Sequence, residues 1–381
     1  VIAQSRSSLG LGRWLLPPLA AFAGALVITL LVAVAAGFHP LAAATWSRFD
    51  SNFYLMIASS GYHLLPCQVP GQAHAWCGNP GWFPGYPAVL APLFDLGLPH
   101  KGTAVVISLL FLLATLTLLW NGFLRDLGDR RASLALAFAA CGPGTIYTHA
   151  VFPMAMAAFF IVACLALVRS GRVLAAAVPA AAAAASYPTG ILLAPLLGGW
   201  ALVAAEGGST RRRVSVALSA AGLAMSGLIA VLLVMEVGTG KWNAYFLVQA
   251  NYHHTLSLPF LNLWSTLSPI AGGSRRGSET IPAVEAAFVI AVVVAISWGC
   301  LRSSRRHQLR AFDWFILLTV FVFWLAPLSQ SHVNYYRGDS LLVPASLLVP
   351  RLPTRIAIVL CAGAIATFAL TTYGFFNQSL M

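Results

Sequence analysis

From residue 15 to residue 376 the chain is a series of apolar runs broken by short stretches rich in arginine. This alternation constrains the fold more than any motif does, because about twenty apolar residues in a row are what a helix needs to cross a bilayer. Inside the hydrocarbon every backbone N–H and C=O must be satisfied within the protein, so each such run is expected to be helical. Composition closes off a water-soluble domain: 59% of the 381 residues are hydrophobic and 8% are charged, too few charges to cover a surface facing water. The runs predict eleven spans, at 15–37, 103–123, 132–147, 151–168, 173–187, 188–204, 214–236, 282–301, 311–328, 340–350 and 356–376. The first is longer than the core of a cleaved leader and has no clear cleavage site after it, so it is expected to be retained. The fold expected is all-α, a polytopic transmembrane bundle forming one integral domain over 1–381. No internal repeat is evident, and the alanine run Ala180 to Ala185 is expected to let helices pack closely.

Charge gives the orientation. Sixteen of the 22 lysines and arginines, from Arg6 and Arg13 through Arg211 to Arg213 and on to Arg355, fall in alternate connections. The positive-inside rule then puts the N-terminus in the cytoplasm and the C-terminus outside. A net charge of +12 is therefore explained without a nucleic-acid partner, since the cations sit singly or in small groups between apolar runs. Lysine occurs only at Lys101 and Lys241 while alanine and arginine abound, a composition that suggests a GC-rich bacterial genome, so the expected location is a bacterial plasma membrane. Three segments are expected on the extracytoplasmic side: 38–102, 237–281 and 329–339. Cys67 and Cys77 lie in the first of them. In an oxidising compartment a disulfide is the expected reading, with a zinc site shared with His63 and His74 as the alternative. Cys141, Cys164, Cys300 and Cys361 fall in apolar runs, where thiols are ordinary packing.

The first extracytoplasmic segment carries the one acid that stands out. Trp46-Ser47-Arg48-Phe49-Asp50-Ser51-Asn52-Phe53-Tyr54 follows the first span, continues through Ile57-Ala58 and Gly61-Tyr62, and leads to Trp82-Phe83-Pro84-Gly85-Tyr86-Pro87. An acid at a membrane boundary is functional by default. Its bland readings are a helix cap or a salt bridge with Arg48, which two residues of helical spacing would disfavour. Asp95, the nearest other acid on this side, sits in a solvated turn.

Taken together these elements resemble the signature of the PIG-V mannosyltransferase family, whose pattern runs Arg-Trp-Asp, Tyr, Ile-Ala, Gly-Tyr and Phe-Pro-Leu-Tyr-Pro. A weaker likeness continues through Pro143-Gly144-Thr145-Ile146-Tyr147 and Ser186-Tyr187-Pro188-Thr189-Gly190, so it covers about the first 200 residues. Two positions depart from the pattern. Phe152-Pro153-Met154 stands where the family carries Tyr-Ser-Glu, and Tyr187-Pro188 where it carries an arginine.

The resemblance implies a GT-C fold and an inverting transfer of a sugar, mannose in the family, from a polyprenyl-phosphate donor to an acceptor hydroxyl on the outer face. Asp50 would be the general base that takes the hydroxyl proton. A leaving phosphate needs positive charge, and Arg337 is the first choice because guanidinium matches phosphate oxygens in a fixed fork. Lys241 and His332 are further donor-phosphate candidates. Arg48, Tyr54, Trp82, Tyr86, His253 and His254 are candidates for substrate binding. Arg337 could instead snorkel to headgroups or pair with Asp339, and most aromatics of these segments would serve an interfacial belt in any membrane protein. The Asp-x-Asp arrangement that holds a divalent ion is absent, so no cofactor is expected, with a divalent metal left open. The expected partners are the lipid-linked donor, a glycolipid, glycan or protein acceptor, and membrane lipids. The rival reading is a non-catalytic scaffold of the same fold or a transporter of lipid-linked sugars.

Overall fold

The computed structural model describes residues 11–67, 75–204, 209–253, 255–272, 277–305, 310–330, 335–378 and 380. Its frame is helical. Among the described residues, six helices are long and apolar enough to cross a membrane: Trp14–Ala35, His100–Leu127, Thr210–Thr239, Thr280–Ser304, Ala311–Leu328 and Thr354–Phe376. The first belongs to helix α1 (Leu11–Ala35), whose 25 residues extend about 37 Å at 1.5 Å each, more than the hydrocarbon thickness.

Between α1 and the next span lie α2 (Ser51–Ser60), the antiparallel strands β1 (Leu64–Pro66) and β2 (Trp76–Gly78), and α3 (Gly85–Asp95). Then come α4 (His100–Leu119), α5 (Asp129–Ala140), α6 (Ile146–His149), α7 (Met154–Arg169), α8 (Val173–Ser186) and α9 (Leu193–Ala204). The long α10 (Thr210–Thr239) leads to α11 (Ala244–Gln249) and α12 (Pro259–Ala271). The chain closes with α13 (Gly277–Ser304), α14 (Ala311–Leu328), the short α15 (Tyr335–Asp339) and α16 (Thr354–Phe376).

Two of the eleven expected spans take another form. The run 132–147 ends its helix at Ala140, turns through Cys141-Gly142-Pro143-Gly144 and resumes only for the four residues of α6. The run 340–350 is a 3-10 helix, Ser340–Arg351, holding Pro344 and Pro350. Proline lacks the N–H that an α-helix requires, and such backbone survives at membrane depth only when protein surrounds it; Ser340 to Pro350 are all buried. The runs 151–168, 173–187 and 188–204 become apolar helices shorter than a full crossing.

The alanine run does pack helices together. On α10, a Cβ added at Gly227 would lie 1.9 Å from the Ala181 carbonyl oxygen of α8, so the two backbones touch there. One continuous core cluster draws on residues from Ala25 to Leu380.

The bundle has two distinct ends. At one, Arg125 lies over the Trp14 ring, Arg169 donates to the Gly122 carbonyl, Phe123 stacks on Phe312, and Arg351 pairs with Asp313 at 2.8 Å. These contacts bring together arginines from three of the connections that charge placed on one side. The other end gathers the three segments expected outside. Each is structured. Cys67 and Cys77 form a disulfide beside the β1–β2 pair, which removes them from any zinc site; His74 lies outside the described residues. Asn251 donates to the Trp76 carbonyl at 2.6 Å and Gln249 to that of Gly81 at 2.8 Å, joining the second segment to the first. An isolated bridge between Leu256 and Gln330 joins the second to the third.

Candidate active site

Asp50 is presented by a tightly specified turn. Trp46 donates its indole N–H to the Pro40 carbonyl at 2.9 Å, and the Val151 N–H donates to the Trp46 carbonyl at 3.2 Å. The Ser51 hydroxyl donates to the Arg48 carbonyl at 2.7 Å and accepts the Arg48 N–H at 3.1 Å. Between them Phe49 sits at φ +52°, a left-handed conformation that a bulky side chain adopts only when its surroundings enforce it. Asp50 then occupies the N-cap position of α2, but its side chain makes no capping hydrogen bond. The helix N-terminus still favours its negative charge.

Its carboxylate accepts a hydrogen bond from Arg337, 287 residues away, forming an ion pair whose side chains are 26% and 15% exposed. Neither pairing suggested by the sequence is formed. Arg48 instead lies 4.4 Å over the Phe38 ring, and Arg337 meets Asp50 rather than Asp339. The guanidinium stands among the rings of Phe152, Phe49 and Tyr147, 5.6 to 5.8 Å from their centroids. Burial would lower its pKa, but Asp50, followed by Tyr147, Tyr187 and Tyr336, raises it further; the cation stays charged. α15 is held by the Tyr336 hydroxyl, which donates to the Leu380 carbonyl, and by the Ser340 hydroxyl, which donates to the Arg337 carbonyl at 2.6 Å. The buried Nε of Arg337 has no partner among the described residues, leaving it donor capacity for a further anion.

The ion pair lines two cavities. The first, of about 370 Å³, is walled by Tyr54, Trp82, Phe83, Phe152, Met154, Tyr187, Tyr245 and Tyr252, with Gln249 and Gln330 as amides. Trp82 is stacked on Phe53 with centroids 3.6 Å apart. The second, of about 500 Å³, is lined by Ser47, Arg48, Phe49, Asn52 and Gln378. Among the described residues, Asp50 and Arg337 alone line both.

Of the residues singled out in the sequence, Asp50, Arg337, Tyr54, Trp82 and Arg48 meet here. Tyr86 does not: it is fully buried, donating to the Ala104 carbonyl at 2.7 Å and lying 2.8 Å from the Ser108 hydroxyl, which makes it a packing residue. Lys241 sits 4.8 Å over the Trp76 ring and lines neither cavity, nor does His253. His254 and His332 lie outside the described residues. Sequence reasoning missed Gln249 and Gln330, since isolated glutamines between apolar residues carry no signal. No group of three or more His, Cys, Asp or Glu placed to hold a metal ion occurs among the described residues.

No family model matches the chain, and no curated protein matches it. Solved structures do. The crystal structure of the Archaeoglobus fulgidus oligosaccharyltransferase in the apo form superposes with a TM-score of 0.51 at 12% identity, covering 97% of this chain and 57% of that one. The same enzyme tethered through a disulfide to an acceptor peptide containing the NVT sequon gives 0.50 at 13% identity, covering 94% and 55%. This chain thus spans little more than half the length of the structures it matches. At such identity the likeness is one of fold. The molecule is a helical membrane protein with the GT-C-type glycosyltransferase fold.

Proposed function

We propose that this protein is a membrane glycosyltransferase that moves a sugar from a polyprenyl-phosphate donor to an acceptor hydroxyl with inversion. The observation that carries the reading is the Asp50–Arg337 pair, assembled across 287 residues on the lining of two cavities. A base and a phosphate-binding cation within one site are what this transfer needs.

In the reaction the acceptor oxygen attacks the anomeric carbon as its proton passes to Asp50. The bond from that carbon to the phosphate oxygen breaks, and polyprenyl phosphate leaves with the electron pair, its charge met by Arg337. While it accepts the hydrogen bond from Arg337, the Asp50 carboxylate is occupied. A donor phosphate competes for the guanidinium, and in doing so it frees Asp50 for the hydroxyl, which couples donor binding to activation of the base. No protein-held metal is called on. The aromatic cavity is assigned to the donor, because rings such as Tyr54 and the stacked Trp82 suit a sugar face.

The PIG-V-like motif around Asp50 favours mannose as the sugar. The two departures from that pattern put Phe152, Met154, Tyr187 and Pro188 on the wall of the first cavity, so they bear on which sugar enters, and a pentose is the competing choice. The arginine-rich end lies opposite the site, and by the positive-inside rule the site faces away from the cytoplasm, in keeping with a disulfide at Cys67 and Cys77.

The test is sugar transfer by the purified protein from synthetic polyprenyl-phosphate mannose and polyprenyl-phosphate pentose to glycolipid, glycan and peptide acceptors. Transfer that requires Asp50 supports the reading. Absence of transfer from every donor would favour a non-catalytic scaffold.

A further inference from the structure

Asp50 is not the only group set against Arg337. The buried Nε of Arg337, the Tyr147 hydroxyl and both carboxyl oxygens of Glu285 have no hydrogen-bond partner among the described residues. Buried polar groups are seldom left unpaired, because each gives up its water and gains nothing in return. Tyr147 and Glu285 line neither cavity, so a ligand held there does not satisfy them. They neighbour one another instead. Arg337 is the charge that acts most strongly on the Tyr147 hydroxyl and stands at the edge of hydrogen bonding to it, and Glu285 is an acid whose charge reaches the same hydroxyl.

Three elements bring these groups together. Tyr147 lies on α6, just after the turn Cys141-Gly142-Pro143-Gly144. Gly144 has φ +65°, and a Cβ there would clash with the Tyr336 carbonyl oxygen and lie 2.6 Å from the Ser340 nitrogen. The turn therefore rests directly on the backbone that carries Arg337. The Gly144 backbone also stands at the edge of hydrogen bonding to Glu285, which is 1% exposed on α13, a helix packed against α15. The Tyr147 ring has no room to swing away: it meets Phe152 and Phe375 edge-on, with centroids 5.0 and 5.5 Å apart, and stacks on Tyr336 at 6.2 Å. The guanidinium, on its long rotatable stem, is the part able to move.

We propose that Tyr147 and Glu285 are positioning residues for Arg337, forming a second seat that its guanidinium takes when it leaves Asp50. In that seat Nε donates to the Tyr147 oxygen. The phenol O–H donates to a carboxyl oxygen of Glu285, which accepts whether or not the acid carries a proton. Each of the three unpaired groups gains a partner, the terminal nitrogens stay available to an anion, and Asp50 is left unbonded. With no ligand present Arg337 stays on Asp50, since a carboxylate is a stronger acceptor than a neutral phenol. An arriving phosphate meets the charge of the guanidinium and reverses that preference.

The first test needs no ligand: a cryo-EM structure of Asp50→Ala. The guanidinium is expected to turn to Tyr147, with Nε within about 2.7–3.2 Å of the hydroxyl oxygen. A guanidinium still directed at residue 50, or paired with another acid, overturns the proposal. The second test is equilibrium binding of polyprenyl phosphate to the detergent-purified chain, and it rests on the reading of Arg337 as the phosphate-binding cation. Tyr147→Phe keeps the ring and its packing and removes only the hydroxyl. It should weaken binding about tenfold, the scale of one hydrogen bond from a charged group. Glu285→Leu should do the same, whereas Glu285→Gln, which keeps an acceptor oxygen, should retain most of the wild-type affinity. In an Arg337→Ala background Tyr147→Phe should cost nothing further, because its effect runs through the guanidinium. Wild-type affinity in Tyr147→Phe overturns the second seat, as does an equal loss with and without Arg337, which would make Tyr147 a packing residue. If Arg337→Ala binds polyprenyl phosphate as tightly as the wild type, the donor reading falls and the Asp50→Ala structure alone decides the seat.

Discussion

Replacing Asp50 by asparagine separates the structural and chemical roles of one carboxylate. The amide has nearly the same shape, and its oxygen can still accept the hydrogen bond from Arg337, so what is lost is one charge. With the two side chains 26% and 15% exposed, the pair lies between a surface ion pair, worth up to about 1 kcal/mol, and a fully buried one, whose breaking costs about 3–5 kcal/mol. The retained hydrogen bond puts the expected loss of stability at about 1–2 kcal/mol. Loss of a general base costs about 10²- to 10⁴-fold in rate, or roughly 3–5 kcal/mol of transition-state stabilisation. The two scales differ enough to be told apart. Sugar transfer should therefore collapse in Asp50→Asn while thermal unfolding in detergent shifts modestly and polyprenyl phosphate binds no more weakly, since Arg337 has lost its competitor. Turnover equal to the wild type would refute the base assignment. A collapse of both folding and turnover would make the pair a structural strut.

Arg337→Ala should weaken polyprenyl phosphate binding by about tenfold or more, as expected for loss of a charge-assisted contact; unchanged affinity would return this arginine to a packing role. Gly227→Leu should destabilise the bundle by several kcal/mol, because even a Cβ at this position meets the Ala181 carbonyl oxygen at 1.9 Å, and overpacking of a closed contact costs about 1–3 kcal/mol or more. Normal expression and unfolding temperature would contradict that contact. Trp82→Ala should reduce donor affinity more than Tyr86→Phe, since Trp82 lines the first cavity and Tyr86 is buried in the core; the reverse order, read by polyprenyl-phosphate sugar binding, would count against assigning that cavity to the donor. Cys67→Ser with Cys77→Ser should lower stability by roughly 2–3 kcal/mol, through release of a ten-residue loop, and an unshifted melt would show the loop is held by its other bonds.

The helical frame was legible because membrane burial writes itself into runs of apolar residues, and the long runs of α1, α4, α10, α13, α14 and α16 all became helices. The runs that failed, at 132–147 and 340–350, carry Gly142-Pro143-Gly144 and Pro344 with Pro350. Apolar content alone cannot tell an α-helix from other backbone that neighbouring helices enclose. Asp50 stood out because an acid at that boundary is rare. Arg337 could be suspected, but its partner could not be read, because two residues 287 positions apart meet only through the packing of the whole bundle. Tyr86 shows the converse: a motif tyrosine beside a site residue can be wholly occupied by a neighbouring helix, here through Ala104 and Ser108.

The most direct measurement is a cryo-EM structure of the protein with a polyprenyl-phosphate sugar bound. Its phosphate is expected in the first cavity, within about 2.7–2.9 Å of the Arg337 nitrogens, with the anomeric carbon turned toward Asp50 and the carboxylate released from the guanidinium. A phosphate bound away from Arg337, with the Asp50–Arg337 pair intact beneath it, would contradict the site as drawn.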